Sequence, residues 1–327
     1  MAAVAPPAPI ESDPTVIEGS RGARMDTAFK VVTVIAALAV LVVLAFIAIS
    51  TVAEAWPVFR EAGLSFVTED NWNPANNDFG GLAFIYGTAV VSAIAIVVAV
   101  PVSVGIALFT TELAPRRLRT AITMVVDLLA AVPSVVYGLW GIAVLAPNIT
   151  PVYKNIASAV SSIPVLNTIF GEGGTGRSYM TAGLIVALMI VPIITSITRE
   201  VFATVPQGEK DAALALGATR WEMIRGAVFP HSFGGVVGAV MLGLGRAMGE
   251  TIAIALVIGS AIRISGNLLN SGTAIPEVIV LQWGESSGTY RAALVGLGVL
   301  LFALTIFINT LARAVVARAE LRMRGAA

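Results

Sequence analysis

The chain has 327 residues, of which 57% are hydrophobic and 12% charged, with a mean hydropathy of +0.89 and a formal net charge of zero. A soluble domain covers its surface with roughly twice that charged fraction, so the composition excludes an ordinary water-soluble fold and predicts an all-α polytopic membrane protein. Cysteine is absent, which excludes a disulfide framework, thiol chemistry and thiolate metal sites.

In chain order, residues 1–28 are rich in Ala and Pro with mixed charges and read as a disordered tail. A spanning helix needs about 20 apolar residues, and six stretches meet that requirement: 29–52, 82–109, 122–145, 180–197, 236–262 and 292–316. The expected organisation is a tail (1–28), a first span with its following loop (29–81), a core (82–316) and a C-terminal tail (317–327). Ala53-Glu54-Ala55 has the small residues of a signal cleavage site, but the preceding apolar run is too long and its leader too extended, so the first span is expected to stay uncleaved.

Lys and Arg set the orientation. With the N-terminus inside, the inside segments hold fourteen of the twenty Lys and Arg residues, Arg116, Arg117, Arg119, Arg199 and Arg313 among them, and the outside segments five. Both termini are therefore expected in the cytoplasm, with outside loops at 53–81, 147–178 and 263–291. Trp56, Trp140 and Trp283 then fall near the outer boundary, as interfacial anchors do.

The third predicted span holds Asp127, deep enough to need a hydrogen-bond partner, then Pro133, Ser134 and Tyr137, which can kink the span and turn hydroxyls toward a path. In the inside loop, Pro206 suits the first turn of a short helix and Gly217 its left-handed end. Thr219 and Glu222 have capping-box spacing at the start of a second helix, and Pro230 is read as closing the segment. The sole histidine, His231, reads as an interfacial residue, and no metal site is expected. No P-loop is present, because Lys30, Lys154 and Lys210 follow Phe, Tyr and Glu.

The fifth span carries two charges in GRAMGET (245–251). Arg246 lies 12 residues beyond Gly234, about 18 Å along a helix and near the middle of an approximately 30 Å core. Arg246 and Glu250 are four apart and, on a continuous helix, share a face. Two readings are open. One is an intrahelical salt bridge; the other is a path in which Arg246 is the countercharge for a passing anion while Glu250 holds its fork or accepts a hydrogen bond from a protonated oxyanion.

Asp211-Ala212-Ala213, three residues, Gly217, nine residues and Ala227-Val228-Phe229-Pro230 resemble the EAA loop (EAA-x3-G-x9-I-x-L-P) of bacterial ABC importer permeases. Asp stands for Glu, Ala for Ile and Phe for Leu, with every spacing kept. PVSVGIALFTTELAP (101–115), DLLAAVPSVVYGLWG (127–141) and MLGLGRAMGET (241–251) are similar to the PstC-type permeases of high-affinity phosphate importers. The resemblance implies a type I, MetI-like permease fold in the bacterial inner membrane, and a role for the matching Arg246 and Glu250 in phosphate passage. It further implies a heterodimer with a PstA-type permease, two PstB-type ATPase subunits that dock on the loop and bind ATP and Mg, and a PstS-type phosphate-binding protein; this chain then needs no cofactor and is no enzyme. Two alternatives are the sibling PstA-type permease, which shares the loop, and a self-sufficient secondary anion transporter or channel in which Asp127 and Glu250 relay protons.

Overall fold

The computed structural model describes residues 20–172 and 174–325, nearly all of them helical. Six helices are long and apolar enough to cross a membrane: Met25–Ala62, Leu82–Leu113, Ser134–Val160, Tyr179–Ala203, Arg220–Met248 and Gly288–Ala314. Among the described residues the only sheet is a two-stranded antiparallel ribbon, β1 (Trp72–Asn73) and β2 (Asp78–Phe79), turned by Asn77 in the left-handed region.

The chain divides into residues 1–53 and 54–327. Helix α1 (Ser20–Ala62) starts earlier than expected, so residues 20–28, read as tail, are helical; the rest of that tail lies outside the described residues. In the larger unit, α2 (Leu82–Leu108) and α6 (Tyr179–Ala203) form the central pair. They approach closely because small residues line the seam. A Cβ on Gly183 would stand 2.5 Å from the Ile94 side chain, and Ala95 and Ala99 are fully buried beside Ile185, Ile190 and Ile194.

Two predicted spans are broken. The third is two helices: α3 (Arg116–Ala131) and, after Val132 and Pro133, α4 (Ser134–Trp140), which continues through a π-turn at Gly141–Leu145 into α5 (Ala146–Val160). Pro133 pushes the preceding residue out of the helical region, and Val132 is extended (ψ 127°). The second piece runs fifteen residues beyond the expected end, since Pro147, Asn148 and Pro151 lower the apolar score without ending the helix. The fifth span stops at Met248 rather than Ile262. Helix α9 (Phe229–Met248) gives way to an irregular Gly249–Thr251 and a short α10 (Ile252–Val257).

Beyond α10 the chain is irregular to α11 (Ile275–Gln282), yet its backbone is paired. Gly272 N–H donates to Ile258 O (3.1 Å), Ala261 N–H to Gly272 O (2.9 Å) and Tyr179 N–H to Asn270 O (3.2 Å). Buried Glu277 gathers Ser260 Oγ (2.5 Å), Thr273 Oγ1 (2.8 Å) and Ala274 N–H (2.9 Å). The last helix, α12 (Gly288–Gly325), extends through the region read as a C-terminal tail.

Gly87 gives the packing a direct test, because a Cβ there would lie 1.7 Å from the Thr273 carbonyl oxygen, whereas Gly105 has nothing within 4 Å. Gly87→Val is expected to cost more than the typical ~1–3 kcal/mol of overpacking, since backbone must move. Recovery of folded protein should fall sharply, while Gly105→Ala leaves it unchanged by size-exclusion chromatography in detergent.

Candidate transport pathway and coupling loop

Arg246 sits in the last turn of α9 with its side chain exposed, and Glu250 lies beyond the helix end, 7% exposed. The two do not share a helical face. The ion pairs among the described residues are Lys210–Glu112 and His231–Glu209, so the intrahelical salt bridge is not formed. The Glu250 carboxylate instead accepts from Ala253 N–H (3.4 Å) at the start of α10, while Thr251 Oγ1 donates to Gly249 O (3.2 Å). A cation at a helix C-terminus and an anion at an N-terminus are each favourable by about 0.3–1 kcal/mol. That is well below the several kcal/mol that a membrane-buried charge costs. The helix ends therefore position Arg246 without neutralising it.

Arg246 lines an open-sided groove of about 870 Å³. Its floor is the glycine face of α9 (Gly234, Gly238, Gly245), with Ile193 of α6 beside it and Asn309, Arg313 and Ala317 of α12 opposite. The break in α9 lies beside the break before α4. A Cβ on Gly138 would come within 2.9 Å of Ala253 Cα, so α4 packs directly on α10. Tyr137 is buried and donates from its hydroxyl to Leu129 O (2.8 Å), bridging the Val132–Pro133 gap. Its hydroxyl is thus occupied by backbone, and Ser134 is half-buried at the start of α4. Asp127 is exposed on α3 and makes no hydrogen bond or ion pair with any described residue, contrary to the buried partner expected of it.

At the other end of α9, Pro206 precedes α7 (Gln207–Ala215) as its N-cap. Helix α7 ends in a Schellman motif: Ala218 N–H donates to Ala213 O (3.1 Å) and Gly217 N–H to Leu214 O (3.0 Å), with Gly217 at φ +85°. Thr219 and Glu222 form the capping box of α8 (Arg220–Met223), Thr219 N–H donating to Glu222 Oε2 (2.7 Å) and Glu222 N–H to Thr219 Oγ1 (3.3 Å). Pro230 does not close the segment. A π-turn at Ile224–Val228 joins α8 to α9, and Pro230 follows directly after it, where the irregular turn accommodates a residue without an N–H in a helix that continues to Met248.

Of the motif residues, Asp211 and Ala212 face outward, with Asp211 accepting from Gln207 Nε2 (2.9 Å), while half-buried Ala213 packs against a cluster of Ala107, Phe202, Val205, Met223, Ile224 and Val228. Sequence reading missed the strongest anchor. Lys210 Nζ meets Glu112 Oε1 at 2.6 Å with both side chains about nine-tenths buried, tying α7 to the π-turn Phe109–Leu113 that ends the second span. Leu216 and Trp221 were also missed; they are 89% and 62% exposed on this loop, and apolar neighbours such as Ala213, Leu214, Met223 and Ile224 hid them from a reading of residue type alone.

A helical chain of six spans with a capped helix-turn-helix between the fourth and fifth, whose sequence matches a transport-system inner membrane component, is an integral inner-membrane permease subunit, not itself catalytic. Residues 99–325 match the family described as "Binding-protein-dependent transport system inner membrane component". The chain is 45% identical over 304 residues to the phosphate transport system permease protein PstC of Mesorhizobium japonicum, covering 92% of this chain and 93% of the relative. It is 42% identical to PstC of Xylella fastidiosa (91% and 92% covered) and 39% to PstC 1 of Mycobacterium tuberculosis (82% and 86%). A bacterial ABC transporter involved in import of the acidic polysaccharide alginate shares the fold, with a TM-score of 0.55 at 15% identity over 90% of this chain and 99% of that one. The chain belongs to the PstC family of phosphate transport system permease proteins.

Removing one partner of a buried pair typically costs about 3–5 kcal/mol, because the other charge is left uncompensated. Lys210→Met is therefore expected to lower thermal stability clearly, and the double replacement Lys210→Met with Glu112→Gln to recover most of the loss. Equal melting of Lys210→Met and the double variant would show that an uncompensated Glu112 carboxylate is not the source of the loss.

Proposed function

We propose that this chain is one of two transmembrane permease subunits of an ATP-driven inorganic phosphate importer, forming half of the translocation path. Its similarity over nine-tenths of its length to relatives named for phosphate transport supports the substrate. Arg246, a guanidinium facing a groove with no internal partner, supports the path. Its planar fork of donors suits phosphate oxygens, and a mobile anion supplies the missing countercharge. Glu250 secures the broken helix end rather than gripping Arg246. Ser134 and Tyr137 shape the neighbouring break, and Asp127, exposed on α3, faces whatever covers that helix.

The partners follow from this reading. A PstA-type permease supplies the other half of the path and a PstS-type binding protein delivers phosphate. Two PstB-type ATPases bind ATP and Mg, so this chain carries no cofactor. Asp211, Ala212, Ala213, Gly217 and Pro230 shape the docking loop, on which exposed Leu216 and Trp221 offer apolar contact to the ATPase. Both termini are cytoplasmic.

The native chain lacks cysteine, so topology can be read directly. Asn76→Cys and Ser287→Cys, both at exposed positions, should label with an impermeant maleimide from outside, and Gln207→Cys should not. Labelling of position 207 in intact cells inverts the orientation.

For the path, Arg246→Gln should lower phosphate uptake per assembled complex by about tenfold or more, since an anion crossing a low-dielectric segment loses its countercharge. Glu250→Gln keeps an oxygen for Ala253 N–H and should be milder than Glu250→Ala. The double variant Arg246→Gln with Glu250→Gln should transport no better than Arg246→Gln alone. Restored uptake in the double variant would return the two residues to the role of a structural pair.

A further inference from the structure

The groove contains more positive charge than Arg246 alone supplies. Thr305 Oγ1 approaches Met248 Sδ at 4.0 Å, which sets α12 against α9 at the broken end. From that level, Asn309, Arg313 and Ala317 follow one face of α12 at helical spacing, while Gly245, Met241, Gly238 and Gly234 follow the facing side of α9. At a rise of roughly 1.5 Å per residue, Arg246 stands about 3 Å below Met248 and Arg313 about 12 Å below Thr305, so the two arginines are offset by about 9 Å along the groove. Arg313, expected from sequence only to mark the inner end of the last span, therefore lies about midway along the groove between the levels of Arg246 and Gly234.

Among the described side chains no acidic one lines the groove, and neither arginine pairs with a described residue. Two like charges at this spacing in a poorly screened segment repel each other and are stabilised together by an anion between them. Asn309 adds a second requirement. The half-buried side chain lines the groove, and its Oδ1 receives no hydrogen bond from a described residue; a turn of the amide about its last bond presents that acceptor to a ligand in the groove. A protonated phosphate brings both what the arginines need, anionic oxygens, and what Asn309 needs, a P–OH donor; a fully ionised oxyanion brings only the first.

We propose that Arg313 and Asn309 of the last helix form, with Arg246, an exit station for protonated phosphate, Arg313 taking the anion from Arg246 and Asn309 accepting its hydroxyl proton in a hydrogen bond. This rests on the reading of the chain as a phosphate permease. It assigns substrate contact to the last helix and places the acceptor for the phosphate proton on Asn309 rather than Glu250.

The test uses the complete complex, with its partner subunits, in proteoliposomes supplied with the binding protein and ATP, scoring labelled phosphate against labelled sulfate. Arg313→Gln is expected to lower uptake per assembled complex about tenfold, with Arg313→Lys retaining a third or more, because a point charge keeps the attraction but loses the fork. Asn309→Leu should lower uptake about fivefold, and Asn309→Asp further still, by placing a like charge against the anion. If the wild-type complex carries phosphate and Arg246→Gln abolishes uptake, yet Arg313→Gln and Asn309→Leu stay within about twofold of wild type, the exit station is wrong and the Arg246 path stands. Arg313→Gln that reduces only the amount of complex recovered, with normal uptake per complex, makes Arg313 a structural contact and also overturns the station. A wild-type complex that moves no more phosphate than sulfate overturns the phosphate reading itself.

Discussion

A backbone that leaves its helix inside a membrane must find partners for every N–H and C=O it frees, because hydrocarbon offers none. This chain leaves its helices twice at membrane depth, at Val132–Pro133 and at Gly249–Thr251, and the rest of the core is arranged around those two places. Tyr137 spans the first gap with its hydroxyl, and Glu250 caps the helix after the second. Past α10 the irregular chain borrows partners from the start of α6, where Tyr179 and Met180 donate to Asn270 and Leu268. Each break is tolerated because a neighbouring element was built to complete it.

The breaks also determine what the charges can do. On an unbroken helix Arg246 and Glu250 would face each other and neutralise. Ending the helix at Met248 separates them, gives each a helix terminus of suitable sign, and leaves the guanidinium facing a groove. The terminus contributes too little to satisfy a membrane-buried cation by itself. What remains is a standing preference for an anion, held in place by backbone geometry.

Although the third span, read as 122–145, is the run Ser134–Val160, the number of spans was legible in sequence because a bilayer imposes length and apolarity directly. So was the turn from α7 to α8, where Gly217, Thr219 and Glu222 act through local hydrogen bonds that residue type and spacing specify. The break at Gly249 was not legible. Apolarity continues through Ile252–Val257, and periodicity alone does not register that Glu250 has turned to cap the next helix. Pro133 signalled a kink but not how far the helix beyond it would run. The Lys210–Glu112 pair joins residues 98 apart, a separation at which sequence pattern is silent. Arg313 was read only as one of the inside charges, not as part of a groove, because that depends on how α12 lies against α9.

The continuity of Arg220 through Met248 has a mechanical meaning. The turn after Gly217 and the guanidinium of Arg246 are mounted on one stiff rod, with the π-turn at Ile224–Val228 as its one irregular joint. A rod about 43 Å long at roughly 1.5 Å per residue converts a small tilt at one end into a displacement of several ångströms at the other. Met223, Ile224 and Val228, packed on Ala107, Phe202 and Val205, hold the rod near the loop, on the short arm. A displacement at the loop is thereby enlarged at the arginine, without a chain of intervening side chains to relay it.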